Sequence, residues 1–92
     1  MNISAIIEAR MSSSRFPGKV MEKFEEKPMI QIMVERLRDS ILLDDVIVAT
    51  TTNTNDDSLC SFLESNNIKY YRGSEDNVLE RVLDTAKNFN VD

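Results

Sequence analysis

Along the chain, short β-branched apolar runs alternate with longer stretches whose apolar residues recur every three or four positions. Ile3, Ala5, Ile6 and Ile7 make the first run and predict a buried strand over residues 2–8. A polar, serine-rich stretch follows it. Residues 20–24 predict a short extended piece, and residues 25–27 a turn. Pro28 then suits the first turn of a helix, where its missing N–H costs nothing. Met29, Ile30, Met33, Val34, Leu37 and Ile41 continue at helical spacing, with Glu35, Arg36, Arg38 and Asp39 on the other side. The methionines read as filler of an irregular core. Residues 46–52 predict a second strand, continuously apolar at its start, as a strand covered on both faces requires. Residues 53–57 carry turn and cap chemistry. Leu59, Phe62 and Leu63 form the apolar face of a second helix, which Asn66-Asn67 ends, and residues 68–71 predict a third strand. Ser74 is placed as the N-cap of a third helix, with Glu75 and Asp76 in its first turn, where the helix dipole favours acids. Val78, Leu79, Val82, Leu83, Ala86 and Phe89 continue that helix, and Glu80 and Arg81 read as its surface charges.

The predicted order is β-α-β-α-β-α. Such alternation implies parallel strands joined by right-handed crossovers, with helices on the sheet faces. The expected class is therefore α/β: an open, mostly parallel, three-layer α/β/α sheet. A third helix ordinarily carries the chain to a further parallel strand, and three parallel strands leave an unpaired edge on the first or the third. Residues 1–92 are accordingly expected to be an incomplete domain, the N-terminal part of a larger sheet.

Composition narrows the chemistry. A net charge of −5 and a pI near 4.7 argue against binding a nucleic-acid backbone, which would be repelled. Cys60 is the single cysteine, so no internal disulfide forms, and a reducing, cytoplasmic setting is the default. No stretch is long enough to span a bilayer, and Met1-Asn2-Ile3 leads directly into the first strand without a basic or long apolar segment, so no leader is expected. The sequence has no histidine, which removes a Ser-His hydrolase triad and the usual activator of a cysteine nucleophile. No His/Cys metal cluster is present. The fingerprint G-x-G-x-x-G is absent, and a Walker A loop is matched only at Gly18-Lys19, with Val20 where a magnesium-binding Ser or Thr belongs.

One stretch departs from the acidic average. Arg10, Arg15 and Lys19 lie in a loop without acids, interleaved with Ser12, Ser13, Ser14 and Gly18. A single arginine after a strand is ordinarily a solvated charge. Three cations held together repel one another unless an anion neutralises them, and hydroxyls and backbone N–H groups beside them suit phosphate oxygens. The loop leaves the carboxyl end of the first strand, where open α/β sheets bind ligands.

The segment Ala5-Ile6-Ile7-Glu8-Ala9-Arg10-Met11-Ser12-Ser13-Ser14-Arg15-Phe16-Pro17-Gly18-Lys19-Val20 resembles the signature loop of the sugar-acid cytidylyltransferases. That family includes the 3-deoxy-manno-octulosonate and acylneuraminate cytidylyltransferases and the SpsF-type spore coat polysaccharide proteins. Lys27-Pro28-Met29-Ile30 and Val46-Ile47-Val48-Ala49-Thr50 resemble its entry to the first helix and its second strand. Arg72-Gly73-Ser74-Glu75-Asp76-Asn77-Val78-Leu79-Glu80-Arg81 is similar to the SpsF-type branch, in which the Glu8 position commonly holds Gln. The resemblance implies the Rossmann-like sheet of the nucleotide-diphospho-sugar transferases and a reaction in which a sugar hydroxyl attacks the α-phosphorus of CTP and pyrophosphate leaves.

On that resemblance Arg10, Arg15 and Lys19 are the catalytic candidates. The two guanidiniums clamp phosphate oxygens and Lys19 acts as a point charge on the β/γ end. Ala9, Ser12, Ser13, Ser14, Gly18, Thr50, Arg72, Ser74 and Asp76 are the candidates for contact with CTP. Ser74 and Asp76 also have the plainer reading of a helix cap. The resemblance implies Mg2+ held by an aspartate in a Gly-Asp pair after a fourth strand, beyond these residues. It also implies a sugar-acid acceptor and a homo-oligomer. The chain alone is then expected to be inactive. A non-catalytic nucleotide-binding or structural α/β module is the alternative.

Overall fold

The computed structural model describes residues 3–11, 23–24 and 27–91. Strand β4 (Asp45–Thr51) is its axis: six consecutive residues, Val46 to Thr51, are buried. It is flanked in parallel by β1 (Ser4–Glu8) and β5 (Lys69–Gly73), giving the order β1-β4-β5. Ile6 pairs with Ile47 and Glu8 with Ala49 on one side, and Thr50 pairs with Arg72 and Thr51 with Gly73 on the other. All three strands therefore end at the same rim. A second, two-residue ladder pairs β2 (Lys23–Phe24) antiparallel with β3 (Lys27–Pro28). Helices α1 (Met29–Arg38), α2 (Asp57–Ser65) and α3 (Val78–Asn88) complete the described elements.

Side chains alternate across a strand, so the sheet has two different faces. Val46 and Val48 join Ile7, Ala9 and Ile68 in one apolar cluster with Ile30 and Val34 of α1 and Leu59 and Leu63 of α2. Cys60 is also buried, as a small core residue should be. Burial pushes its thiol above the usual range, which keeps it protonated and inert. Ile47, Ala49 and Thr51 look the other way, and α3 lies against β5, β4 and β1.

The alternation of elements and the parallel sheet are as expected; several boundaries are not. Pro28 is the N-cap of α1, in extended backbone at φ −60° and ψ 145°, and lies outside the first turn. Helix α1 stops at Arg38, so Ile41 falls in a turn and is 98% exposed. Met33, expected in the core, is 41% exposed. Asn67 closes α2 at φ 56°, a left-handed position that asparagine tolerates. The N-cap of α3 is Asn77, whose side chain accepts from the Glu80 N–H at 2.9 Å. Ser74 stands three residues earlier, and its Oγ accepts from the Asn77 N–H at 3.1 Å. Glu75 and Asp76 are therefore loop residues, outside the first turn. Ser74 and Asn77 lie in one run of good caps, and the helix axis selects the second.

Candidate functional site

The carboxyl rim of the sheet gathers the ends of β1, β4 and β5 and the segments that leave them. Ala9 prolongs β1, its N–H donating to the Ala49 carbonyl at 3.1 Å, and is buried. Arg10 follows, half-buried. The Met11 N–H then donates to Asp56 Oδ1 at 2.7 Å, across 45 residues of sequence. Asp56 is fully buried, and its other oxygen accepts from Thr51 Oγ1. Buried carboxylates persist where their oxygens find donors. This one has a backbone donor from the β1 exit and a hydroxyl donor from the end of β4. It thereby fixes the point at which the serine-rich cationic stretch begins.

Arg72 fastens the next connection. Its Nε donates to the Thr51 carbonyl at 2.7 Å and its Nη2 to the Asn53 carbonyl at 2.8 Å, and Nη2 also pairs with Asp57 Oδ1 at 2.8 Å. Donation to the Asp57 carboxylate raises the Arg72 pKa above its ordinary value, against the opposing effect of burial. Asn53 Nδ2 reaches Glu75 Oε1 at 2.7 Å and so links this turn to the β5–α3 loop.

Thr50 is fully buried at the end of β4, and its hydroxyl has no hydrogen-bond partner among the described residues. Ser74 and Asp76 lie in the loop that leaves β5. Ala9, Arg10, Thr50, Arg72, Ser74 and Asp76 thus share one rim. Arg15, Lys19, Ser12, Ser13, Ser14 and Gly18 lie outside the described residues.

Two residues at this rim carry structure that the sequence reading assigned elsewhere. Asp56 is the N-cap residue of α2, one of the expected cap candidates, but its side chain makes no cap bond and serves instead as the buried anchor of the β1 exit. Arg81 was expected on the surface of the third helix, and it is 2% exposed. Its Nη1 donates to the Ser74 carbonyl at 3.0 Å and its Nη2 to Glu8 Oε1 at 3.3 Å. Gly73 makes room for it, because a Cβ at that position would lie 3.0 Å from Arg81 Cγ. The only sequence signal was a glycine eight residues before an arginine, which is too common to read by itself.

Residues 4–92 match the cytidylyltransferase family. The chain is similar to the spore coat polysaccharide biosynthesis protein SpsF of Bacillus subtilis (strain 168): 36% identical, covering 89% of this chain and 36% of that protein. A solved cytidylyltransferase from Leptospira borgpetersenii serovar Hardjo-bovis superposes on the whole chain with a TM-score of 0.91 at 36% identity, over 39% of its own length. CMP:2-keto-3-deoxy-manno-octonic acid synthetase, solved in complex with CTP, superposes on 99% of this chain at 26% identity, with a TM-score of 0.78 and 37% of its own length covered. The chain spans less than two-fifths of the length of each of these proteins. From β1 through α3, in sequence and in Rossmann-like sheet alike, it belongs to the cytidylyltransferase family.

Proposed function

We propose that this chain is the CTP-binding part of a cytidylyltransferase that transfers CMP from CTP to a sugar or sugar acid for surface polysaccharide synthesis, of which a spore coat is one setting. In that reaction a hydroxyl oxygen attacks the α-phosphorus. The bond from that phosphorus to the oxygen bridging it to the β-phosphate breaks, pyrophosphate departs with the electron pair, and the hydroxyl proton is lost. The chain's contribution is positioning and charge neutralisation, which such a transfer chiefly needs. Arg10, Arg15 and Lys19 meet the triphosphate. The backbone around Ala9, Ser12, Ser13, Ser14 and Gly18 approaches it, and Thr50, Arg72, Ser74 and Asp76 border the nucleoside.

One observation carries this reading. The Met11 N–H is pinned on the buried carboxylate of Asp56, which holds the start of a triply cationic segment at the carboxyl rim. Arg72 enters with most of its donors already committed to protein carbonyls and Asp57, so its part is to shape the rim.

Magnesium is the expected companion of the triphosphate. The family resemblance assigns its protein ligands to an aspartate beyond these residues. The acceptor site is assigned there too, and the chain by itself is expected to bind CTP without releasing pyrophosphate. Among the described residues no helix is long and apolar enough to cross a membrane, and the proposed setting is the cytoplasm. β1 and β5 each have one neighbour in the described sheet, which supports self-association or completion by further strands.

Calorimetric titration of the chain with CTP, ATP and GTP in the presence of Mg2+ tests the proposal. CTP is expected to bind most tightly, and Lys19→Ala to weaken it by roughly ten- to a hundredfold, the range for one charge-assisted contact. A folded chain that takes up none of the three nucleotides would overturn it.

A further inference from the structure

Helix α3 turns the wrong side to the sheet for a helix that is merely covering apolar surface. Arg81 and Thr85 are buried, while Leu79 is 69% and Leu83 50% exposed. Rotating the helix would bury the leucines and free the guanidinium, whose desolvation is unfavourable unless it is well paired. The pairing here is only partial, because Arg81 Nε is buried without a partner among the described residues. What the arrangement achieves is a crosslink. Glu8 is the last residue of β1 and immediately precedes Ala9 and Arg10. Ser74 is the first residue after β5. β4 lies between these strands, so Arg81 spans the described sheet at its carboxyl rim, with Nη2 on Glu8 and Nη1 on the Ser74 carbonyl. Gly73 lets the backbone of β5 come against the Arg81 stem, where any Cβ would crowd its Cγ and Cα at 3.0 and 3.1 Å. An apolar side chain could fill the same volume, but only directional bonds from one rigid fork fix the spacing of two strand exits.

We propose that Arg81 is a positioning residue that, through Glu8 and the Ser74 carbonyl, sets the width of the crevice in which the nucleotide lies. The inference rests on the CTP reading above. Arg81 acts only through these two neighbours; its test must therefore separate a change in crevice geometry from a simple loss of stability.

Three variants of the chain serve: Glu8→Ala, Arg81→Met and the pair combined. Glu8→Ala removes the acceptor of Arg81 Nη2 at a half-exposed strand end. It is expected to raise the CTP dissociation constant roughly three- to tenfold, with the far-UV spectrum unchanged. The double variant is expected to bind no more weakly than Arg81→Met alone, because both remove the same brace. Amide hydrogen exchange provides a readout without nucleotide. The Ala9 amide, on the β1 side, and the Asn77 amide, on the β5 side, are expected to exchange faster together in Glu8→Ala. Folded variants that keep wild-type affinity, additive losses in the double variant, or faster exchange at Asn77 with Ala9 unchanged would each overturn the brace. If Arg81→Met does not fold, Glu8→Ala alone decides by affinity and exchange. A wild-type chain that binds no CTP overturns the nucleotide reading and the crevice role with it, whereas wild-type binding with unaffected variants overturns the brace alone.

Discussion

The two faces of the sheet are held by different physics. On one, α1 and α2 bury Ile30, Val34, Leu59 and Leu63 against Ile7, Val46, Val48 and Ile68. That attraction is non-directional and shared among many side chains, so no single one fixes the position of a strand. On the other, α3 docks through Arg81 and Thr85 and leaves Leu79 and Leu83 largely outside. There Thr85 Oγ1 turns back to the Arg81 carbonyl at 2.7 Å and leaves the sheet to the guanidinium. The first face supplies stability, and the second supplies alignment of the rim.

This contrast can be broken in three places. The largest effect is expected on the apolar face: Leu59→Ala should lower the unfolding free energy by about 2–5 kcal/mol in urea titration. A loss well under 1 kcal/mol would mean that the cluster is not the stabilising core. Next comes the close approach on the polar face. Gly73→Ala places a methyl against the Arg81 stem and should cost about 1–3 kcal/mol by overpacking, because one of the crowded atoms belongs to the α3 backbone. A neutral result would show that α3 slides easily and that the spacing is not fixed. The smallest effect is expected on the outer side of α3, where Leu83→Ser should stay within about 0.5 kcal/mol of wild type by thermal or urea unfolding. A loss as large as that at Leu59 would equalise the faces and remove the contrast.

The sequence made the element order legible because each element has its own period. The unbroken run Val46-Ile47-Val48-Ala49 could only be a strand covered twice, and it is the central one. It also made the cationic stretch legible, since three unopposed charges among serines stand out in an acidic chain. The faces of α3 were not legible. Val78, Leu79, Val82 and Leu83 have the spacing of a core stripe, and nothing local says that the helix will instead bury Arg81. That choice depends on Glu8, seventy-three residues away, and on the missing side chain of Gly73. Asp56 was hidden for a related reason. In the run Asn53-Thr54-Asn55-Asp56-Asp57 every residue is a competent cap, and only the return of the chain at Met11 singles one out. Ser74 and Asn77 pose the same ambiguity, settled by which oxygen reaches the Glu80 N–H.

The position of β1 at the margin of the sheet has a consequence for control. The strand that delivers Arg10 into the rim has β4 on one side and no partner on the other among the described residues. Any polypeptide that comes to lie along that open flank, from the same gene or another, grips the backbone just ahead of the cationic segment. A strand added there would stiffen the backbone that leads into Arg10, so a change at the sheet's margin would be felt at its rim.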